Sequence, residues 1–184
     1  MFKANINSDT YIALLDDAHA EELFSLIVRN RQALGEWLSF PGYTKDVSDT
    51  EVFIRRSLAG FHGDGGFWAG IWHKEKLAGS IGYLYIDKKN KKTEIGYWLG
   101  SEFEGKGLAT QSCRFLIQNA FENLGLNKVE INAAAANHKS RAIPRRLGFK
   151  EEGTIRDYEL LNGRYLDRTC YGLLKKEYFE QAEN

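Results

Sequence analysis

Residues 97–110, Tyr97-Trp98-Leu99-Gly100-Ser101-Glu102-Phe103-Glu104-Gly105-Lys106-Gly107-Leu108-Ala109-Thr110, decide the fold. An aromatic, strand-forming run ends at Leu99, passes Gly105 and Gly107, and enters a segment with a helical apolar stripe. Ala109, Cys113, Leu116, Ala120 and Leu124 recur every three or four residues, and Gly125 follows as a stop. A strand therefore leads through a glycine turn into a long helix from about Gly107 to Leu124. Glycines tolerate positive φ, so successive amides can converge on one anion, and the helix N-terminus adds its partial positive charge there. Such a turn suits a phosphate, with Lys106 beside it.

Two familiar glycine-loop patterns are approached but not completed. A dinucleotide fingerprint wants a third Gly or Ala where Thr110 stands, with an acidic residue on the next parallel strand. The pattern G-x-x-x-x-G-K-[ST] fits Gly100 through Lys106. Gly107 then replaces the hydroxyl that would hold magnesium, and the strand from Lys128 to Ala135 has no metal-binding Asp. A magnesium-dependent nucleotide site is the weakest of the readings this loop allows.

Outward from the loop, the preceding residues read as three strands, Phe67 to His73, Leu77 to Ile86 and Thr93 to Leu99. They are separated by Glu75-Lys76 and by Lys88-Lys89-Asn90-Lys91-Lys92, short connections that demand antiparallel pairing. The lysine tract reads as a solvated hairpin tip. Earlier still lie a strand-like run at Tyr11–Leu15 and a helix capped by Asp16 or Asp17 and running to Asn30. An aromatic loop follows at Trp37-Leu38-Ser39-Phe40-Pro41. A second helix starts at Asp49 and is stopped by Gly63-Asp64-Gly65-Gly66. Beyond the long helix come a buried strand, Val129 to Ala135, and a short helix ending at Leu147-Gly148-Phe149. Two strands then flank the hairpin signal Asn162-Gly163. The expected architecture is α+β, a mixed, mostly antiparallel sheet of about seven strands with one parallel crossover and about four helices. A single domain is expected over residues 1–184.

Composition narrows the function classes. The chain has 184 residues, with 25 basic and 25 acidic side chains, so no global field attracts nucleic acid or anionic lipid. No apolar run reaches the roughly 20 residues of a bilayer span, and Met1-Phe2-Lys3-Ala4-Asn5 does not read as a signal-peptide core. Cys113 and Cys170 have no metal-ligand spacing, and the four histidines are scattered, so no metal is expected. The expectation is a cytoplasmic protein without nucleic-acid or membrane partners.

Glu104-Gly105-Lys106-Gly107-Leu108-Ala109 resembles the acyl-CoA pyrophosphate loop, [QR]-x-x-G-x-[GA], of the Gcn5-related N-acetyltransferase (GNAT) superfamily, with Glu104 in place of Gln or Arg. Further motifs follow in order. Glu94-Ile95-Gly96-Tyr97-Trp98-Leu99 is similar to the strand before that loop, and Trp37-Leu38 to the aromatic loop after the first helix. Asn137-His138-Lys139-Ser140, Leu147-Gly148-Phe149 and Glu159-Leu160-Leu161-Asn162-Gly163 resemble segments of the RimL/RimJ-type ribosomal-protein N-terminal acetyltransferases. Within that group the resemblance is greatest to the ribosomal N-acetyltransferases of Gram-positive bacteria.

The resemblance implies the GNAT fold, a twisted sheet splayed in its middle, with acetyl-CoA as co-substrate and a primary amine attacking directly in a ternary complex. Trp98, Leu99 and Gly100 would meet the pantetheine, and the amides from Gly105 through Lys106, Gly107, Leu108 and Ala109 to Thr110 the pyrophosphate. Asn137 would bridge strand end and pantetheine, while Arg141, Arg145 or Arg146 reaches the ribose phosphate or simply faces solvent. Ser140 is the candidate donor to the departing thiolate, and Ser140 or Asn137 also suits the helix cap. Pro144 sits awkwardly within the same helix. Glu159 is the candidate base, directly or through water, unless it is only a cross-strand surface charge. Trp37 and Phe40 are candidate acceptor contacts; Tyr83, Tyr85, Tyr97, Trp68 and Trp72 belong to the core or to the acceptor groove.

An α-amine, with a pKa of about 8, is about one-tenth neutral at pH 7, whereas a lysine near 10.4 is almost wholly charged. A protein N-terminus is therefore the easier acceptor. A polyamine or aminoglycoside, or an acyl-CoA-binding module without turnover, are the alternatives, and a homodimer is expected from the resemblance.

Overall fold

The computed structural model describes residues 3–63 and 65–182. Met1, Phe2 and Asp64, which the readings of the chain start and of the second helix stop include, lie outside the described residues. In chain order the elements begin with β1 (Lys3–Asn5), β2 (Thr10–Leu14), α1 (Ala20–Arg29), α2 (Arg31–Gly35), α3 (Phe40–Tyr43) and α4 (Val47–His62). The central strands are β3 (Phe67–His73), β4 (Lys76–Asp87) and β5 (Lys92–Leu99), followed by α5 (Leu108–Gln118). The chain closes with β6 (Lys128–Ala134), α6 (His138–Arg146), β7 (Lys150–Leu161), β8 (Arg164–Leu174) and α7 (Lys175–Ala182).

The architecture is the expected mixed, mostly antiparallel sheet, with eight strands and seven α-helices among the described residues. The extra elements are short or peripheral. β1 has three residues, too few to carry a pattern, and α2 and α3 are single turns on either side of the aromatic loop. Pro41 sits in the first turn of α3, where no N–H is needed. The Arg31 guanidinium holds the two turns together by donating to the carbonyls of Pro41 and Thr44. α4 starts slightly earlier than its sequence suggests. Asp46 caps it, and Asp49 returns the bond to the Asp46 amide as a capping box.

The long helix keeps α geometry to Gln118 and finishes as a π-turn at Asn119–Asn123, with Gly125 (φ +63°) ending it. Tyr83 donates to the Leu116 carbonyl at 2.6 Å, an acceptor it shares with the Asn119 amide where the helix widens. Its stripe holds in part: Ala109, Cys113, Leu116 and Ala120 are buried, while Leu124 is exposed.

The strands are ordered β1-β2-β3-β4-β5-β6-β8-β7. β5 and β6 pair in parallel through Lys92–Lys128, Thr93–Val129 and Glu94–Glu130, and not beyond. The residues that continue each strand, Ile95–Leu99 and Ile131–Ala134, diverge into a fork. The two faces of β5 separate what flanks it. Ile95 pairs with Tyr83, whose hydroxyl reaches α5, and Tyr97 points the same way. Gly96 and Trp98 point to the opposite face, where Trp68, Leu84 and Phe40 lie. Leu23, Leu26 and Ile54 fill the core on that face, and Cys113, Leu116 and Phe121 on the other.

Candidate active site

The fork opens into a cavity of about 1720 Å³ whose wall includes Trp37, Phe40, Trp98, Leu99, Ser140 and Glu159, together with the glycine turn. Residues more than 120 positions apart in sequence thus share one site.

On the α5 face the turn is as the sequence requires. Gly105 (φ +74°) and Gly107 (φ +75°) are both left-handed, a conformation costly for any residue with a Cβ. Gly107 is the N-cap of α5, and no side chain caps it. Among the described residues, none of the amides from Gly105 to Thr110 donates to a protein acceptor. Six consecutive N–H groups and a helix N-terminus are therefore available at the mouth of the fork.

One of the three candidate arginines joins them. Arg146 donates to the Thr110 hydroxyl at 2.8 Å and lines the cavity. Arg141 instead binds the Tyr171 hydroxyl and the Ala135 carbonyl, and Arg145 pairs with Glu151. Lys106 is turned back, donating to the Glu102 carbonyl at 2.8 Å, so its ammonium is not brought to the cavity. Glu104, the departure from the Gln/Arg position, is paired with Lys139 at 2.6 Å, which offsets its charge beside the turn.

Gly100 is likewise outside the cavity. Its amide donates to the Ala78 carbonyl of β4, and a Cβ there would press on Leu26, Asn30 and Glu102. Backbone groups alternate along a strand, so Trp98 also bonds toward β4, whereas Leu99 and Tyr97 direct theirs into the fork. Of Trp98, Leu99 and Gly100, Leu99 offers its main chain to the opening. Trp98 contributes its ring to the other face.

At the start of α6, Asn137 is the cap: its side-chain carbonyl accepts from the Ser140 amide at 3.1 Å. That leaves the Ser140 side chain free of capping. Its hydroxyl lies 3.4 Å from the Tyr97 hydroxyl, which donates to the Ser140 carbonyl at 3.0 Å. Burial pushes the Tyr97 phenol far up, so it keeps its proton across any working pH. Tyr97 is thus a cavity residue as well as a core one.

The opposite face is built from side chains. Phe40 packs against Trp98 at 5.6 Å, and the Arg164 guanidinium lies 5.6 Å from the centre of the Trp37 ring. The β7–β8 hairpin tip is fastened to the aromatic loop, since Asn162 donates to the Gly35 carbonyl and Arg164 to that of Glu36. Glu159 reaches the cavity because β7 carries two extra residues: four steps from Ile155 to Glu159 oppose two from Arg168 to Leu166. In plain register Asp157 would stand opposite Leu166; instead it takes φ +49° and its amide donates to Asp167.

Sequence reasoning missed the floor of this face. Glu94, the last residue of the parallel pairing, is buried and bonded to Arg168, whose guanidinium lies over Tyr158 at 4.5 Å. Burial pushes the Glu94 carboxyl up, against the pull of Arg168. No local pattern links positions 94 and 168. Cys113 and Cys170 both have thiols pushed up by burial, so neither is poised as a thiolate. No group of His, Cys, Asp and Glu among the described residues could hold a metal, and no described helix is long and apolar enough to cross a membrane.

A fork in a mixed sheet, floored by a short parallel contact and flanked by a glycine turn with free amides, defines an acyl-CoA N-acyltransferase site. Residues 11–150 match the family model described as "Acetyltransferase (GNAT) domain". The chain belongs to that family and is an N-acetyltransferase. It is 45% identical over 183 residues to "Putative ribosomal N-acetyltransferase YdaF" of Bacillus subtilis (strain 168), covering 97% of this chain and 98% of the relative. It is 28% identical over 153 residues to the "Ribosomal-protein-serine acetyltransferase" of Escherichia coli (strain K12), covering 83% and 86%. Among solved structures, the microcin C7 self-immunity acetyltransferase MccE, in complex with acetyl-CoA and AMP, matches with a TM-score of 0.88 and 32% identity. That match covers 92% of this chain and 94% of the other.

Proposed function

We propose that the protein transfers the acetyl group of acetyl-CoA to the N-terminal α-amine of a protein, most simply a ribosomal one. The observation that carries the co-substrate is the row of unengaged amides from Gly105 to Thr110, with the Arg146 guanidinium beside them. A diphosphate satisfies such a cradle, and Arg146 suits a further phosphate. The fork's free edge at Leu99 suits an amide-bearing chain laid in as an added strand. The names of the relatives support a ribosomal acceptor, which also implies a cytoplasmic location.

The amine attacks the thioester carbon, the carbon–sulfur bond breaks, and sulfur leaves with the electron pair. In this reading the Leu99 amide faces the oxygen that gains charge, and Ser140 donates to the leaving sulfur. Glu159 takes the amine's proton, directly or through one water. Trp37 and Phe40 contact the acceptor. A polyamine is less well served, because the acceptor side lacks a dense acidic surface. Of the acidic side chains there, Glu94 is bound to Arg168, Asp49 accepts from the Asp46 amide and Asp167 from the Asp157 amide, which leaves Glu36 and Glu159.

The test is incubation with acetyl-CoA and Bacillus subtilis ribosomal proteins, with the acetyl group located by mass spectrometry. An acetylated α-amine is expected; acetylation of small amines alone overturns the acceptor. Coenzyme A at ~100 times its Kd should add about 2.7 kcal/mol of stability. Stabilisation by CoA without thiol release on any amine would identify a binding module instead. Sedimentation of the full chain tests the homodimer that the resemblance implies.

A further inference from the structure

Pro144 lies inside α6 although proline has no N–H to give the carbonyl four residues back. That carbonyl belongs to Ser140, the residue on which the proposed thiolate donor depends. It is not left empty: the Tyr97 hydroxyl, arriving from β5, donates to it at 3.0 Å. The phenol is buried and has one proton, so once that proton is given to the carbonyl, the Tyr97 oxygen can only accept. The donor facing it is the Ser140 hydroxyl, 3.4 Å away. Asn137 fixes the third group of the same residue by accepting from the Ser140 amide. Asn137 thus holds the amide of Ser140, and the Tyr97 hydroxyl meets both its carbonyl and its hydroxyl.

We infer that Tyr97 is a positioning residue for Ser140, supplying at the Ser140 carbonyl the donor that Pro144 lacks. The inference rests on the proposed role of Ser140. At rest the Ser140 hydrogen lies toward the Tyr97 oxygen over a long 3.4 Å contact, on the side where the fork opens, and from there it turns to the departing sulfur, which is the stronger acceptor. A regular helical residue at 144 would supply its own N–H to the carbonyl. Tyr97 would then share the carbonyl or release it, and its hold on the Ser140 main chain would loosen. The motif explains two oddities together: a proline in a helix interior, and a buried tyrosine hydroxyl between β5 and α6.

The experiment compares Y97F, S140A and the double variant, and then P144A and Y97F/P144A. It follows thiol release from acetyl-CoA with Bacillus subtilis ribosomal proteins as acceptor, and thermal unfolding. Y97F is expected to lower the saturated rate about five- to tenfold while leaving the KM for acetyl-CoA within about twofold. In the S140A background the same change should cost less than about twofold, because its effect runs through the serine. Y97F should also lower Tm by about 2–4 °C through the orphaned carbonyl. P144A returns an N–H to that carbonyl, so Y97F/P144A should regain Tm but not rate. Multiplicative losses in Y97F/S140A overturn the inference, as does recovery of rate together with Tm in Y97F/P144A. A full rate in S140A alone overturns the parent reading as well. Should P144A not fold, the Y97F and S140A set decides.

Discussion

The two sides of the fork are made of different materials. The α5 side is largely main chain: amides from Gly105 to Thr110, the Leu99 edge and one guanidinium at Arg146. The opposite side is largely side chain, with Trp37, Phe40, Trp98, Glu94, Arg168 and Glu159 contributed by five separate elements or loops. Under the proposed function, a backbone cradle would recognise what is invariant in a co-substrate and depend little on side chains such as Glu104. A side-chain wall can be rebuilt for a new acceptor without disturbing the cradle. If that division is real, variants on one side should alter one Michaelis constant and spare the other.

The largest effect belongs to the acceptor side. E159Q is expected to lower kcat about 100-fold between about pH 6 and pH 9 while leaving the KM for acetyl-CoA unchanged. Unaltered turnover over that range would remove Glu159 from the chemistry. R146A tests the other side: an increase of about tenfold in the KM for acetyl-CoA, with the acceptor KM unmoved. A matching shift in the acceptor constant would show that the two sides are not separable. G107A forces a Cβ into a left-handed residue and should cost about 1 kcal/mol, read as a Tm lower by about 2–4 °C. Smallest is W37A, for which loss of the Arg164 stacking predicts an acceptor KM raised about two- to fivefold. Steady-state kinetics with acetyl-CoA and acceptor varied in turn, together with thermal unfolding, checks all four.

What the sequence made legible follows the same division. The strand, turn and helix of residues 92–118 are contiguous, and each is written in local physics: alternation, positive-φ glycines and a helical stripe. Their positions and the parallel crossover could be read directly. The hairpin at Asn162-Gly163 was legible for the same reason, with both residues at positive φ. Long-range pairings left no such trace. Nothing near Glu94 announces Arg168, and nothing before Glu159 announces that two extra residues move it along β7 to stand opposite Leu166. Choosing Arg146 over Arg141 required knowing that Tyr171 and Glu151 capture the other two arginines. The end of the long helix was legible from Gly125, but the π geometry of its last turn, Asn119–Asn123, was not.

The parallel contact between β5 and β6 has a mechanical consequence. The two halves of the sheet meet through three residue pairs at one end of the fork, and beyond them no strand pairing joins β5 to β6. Whatever threads the gap becomes the missing rung between them. Amide protons of Asn132 and Ala134, which alternation from the Ala135 amide places on the fork side of β6, should therefore exchange with deuterium more slowly once coenzyme A is present, and the sheet should then stiffen as one piece.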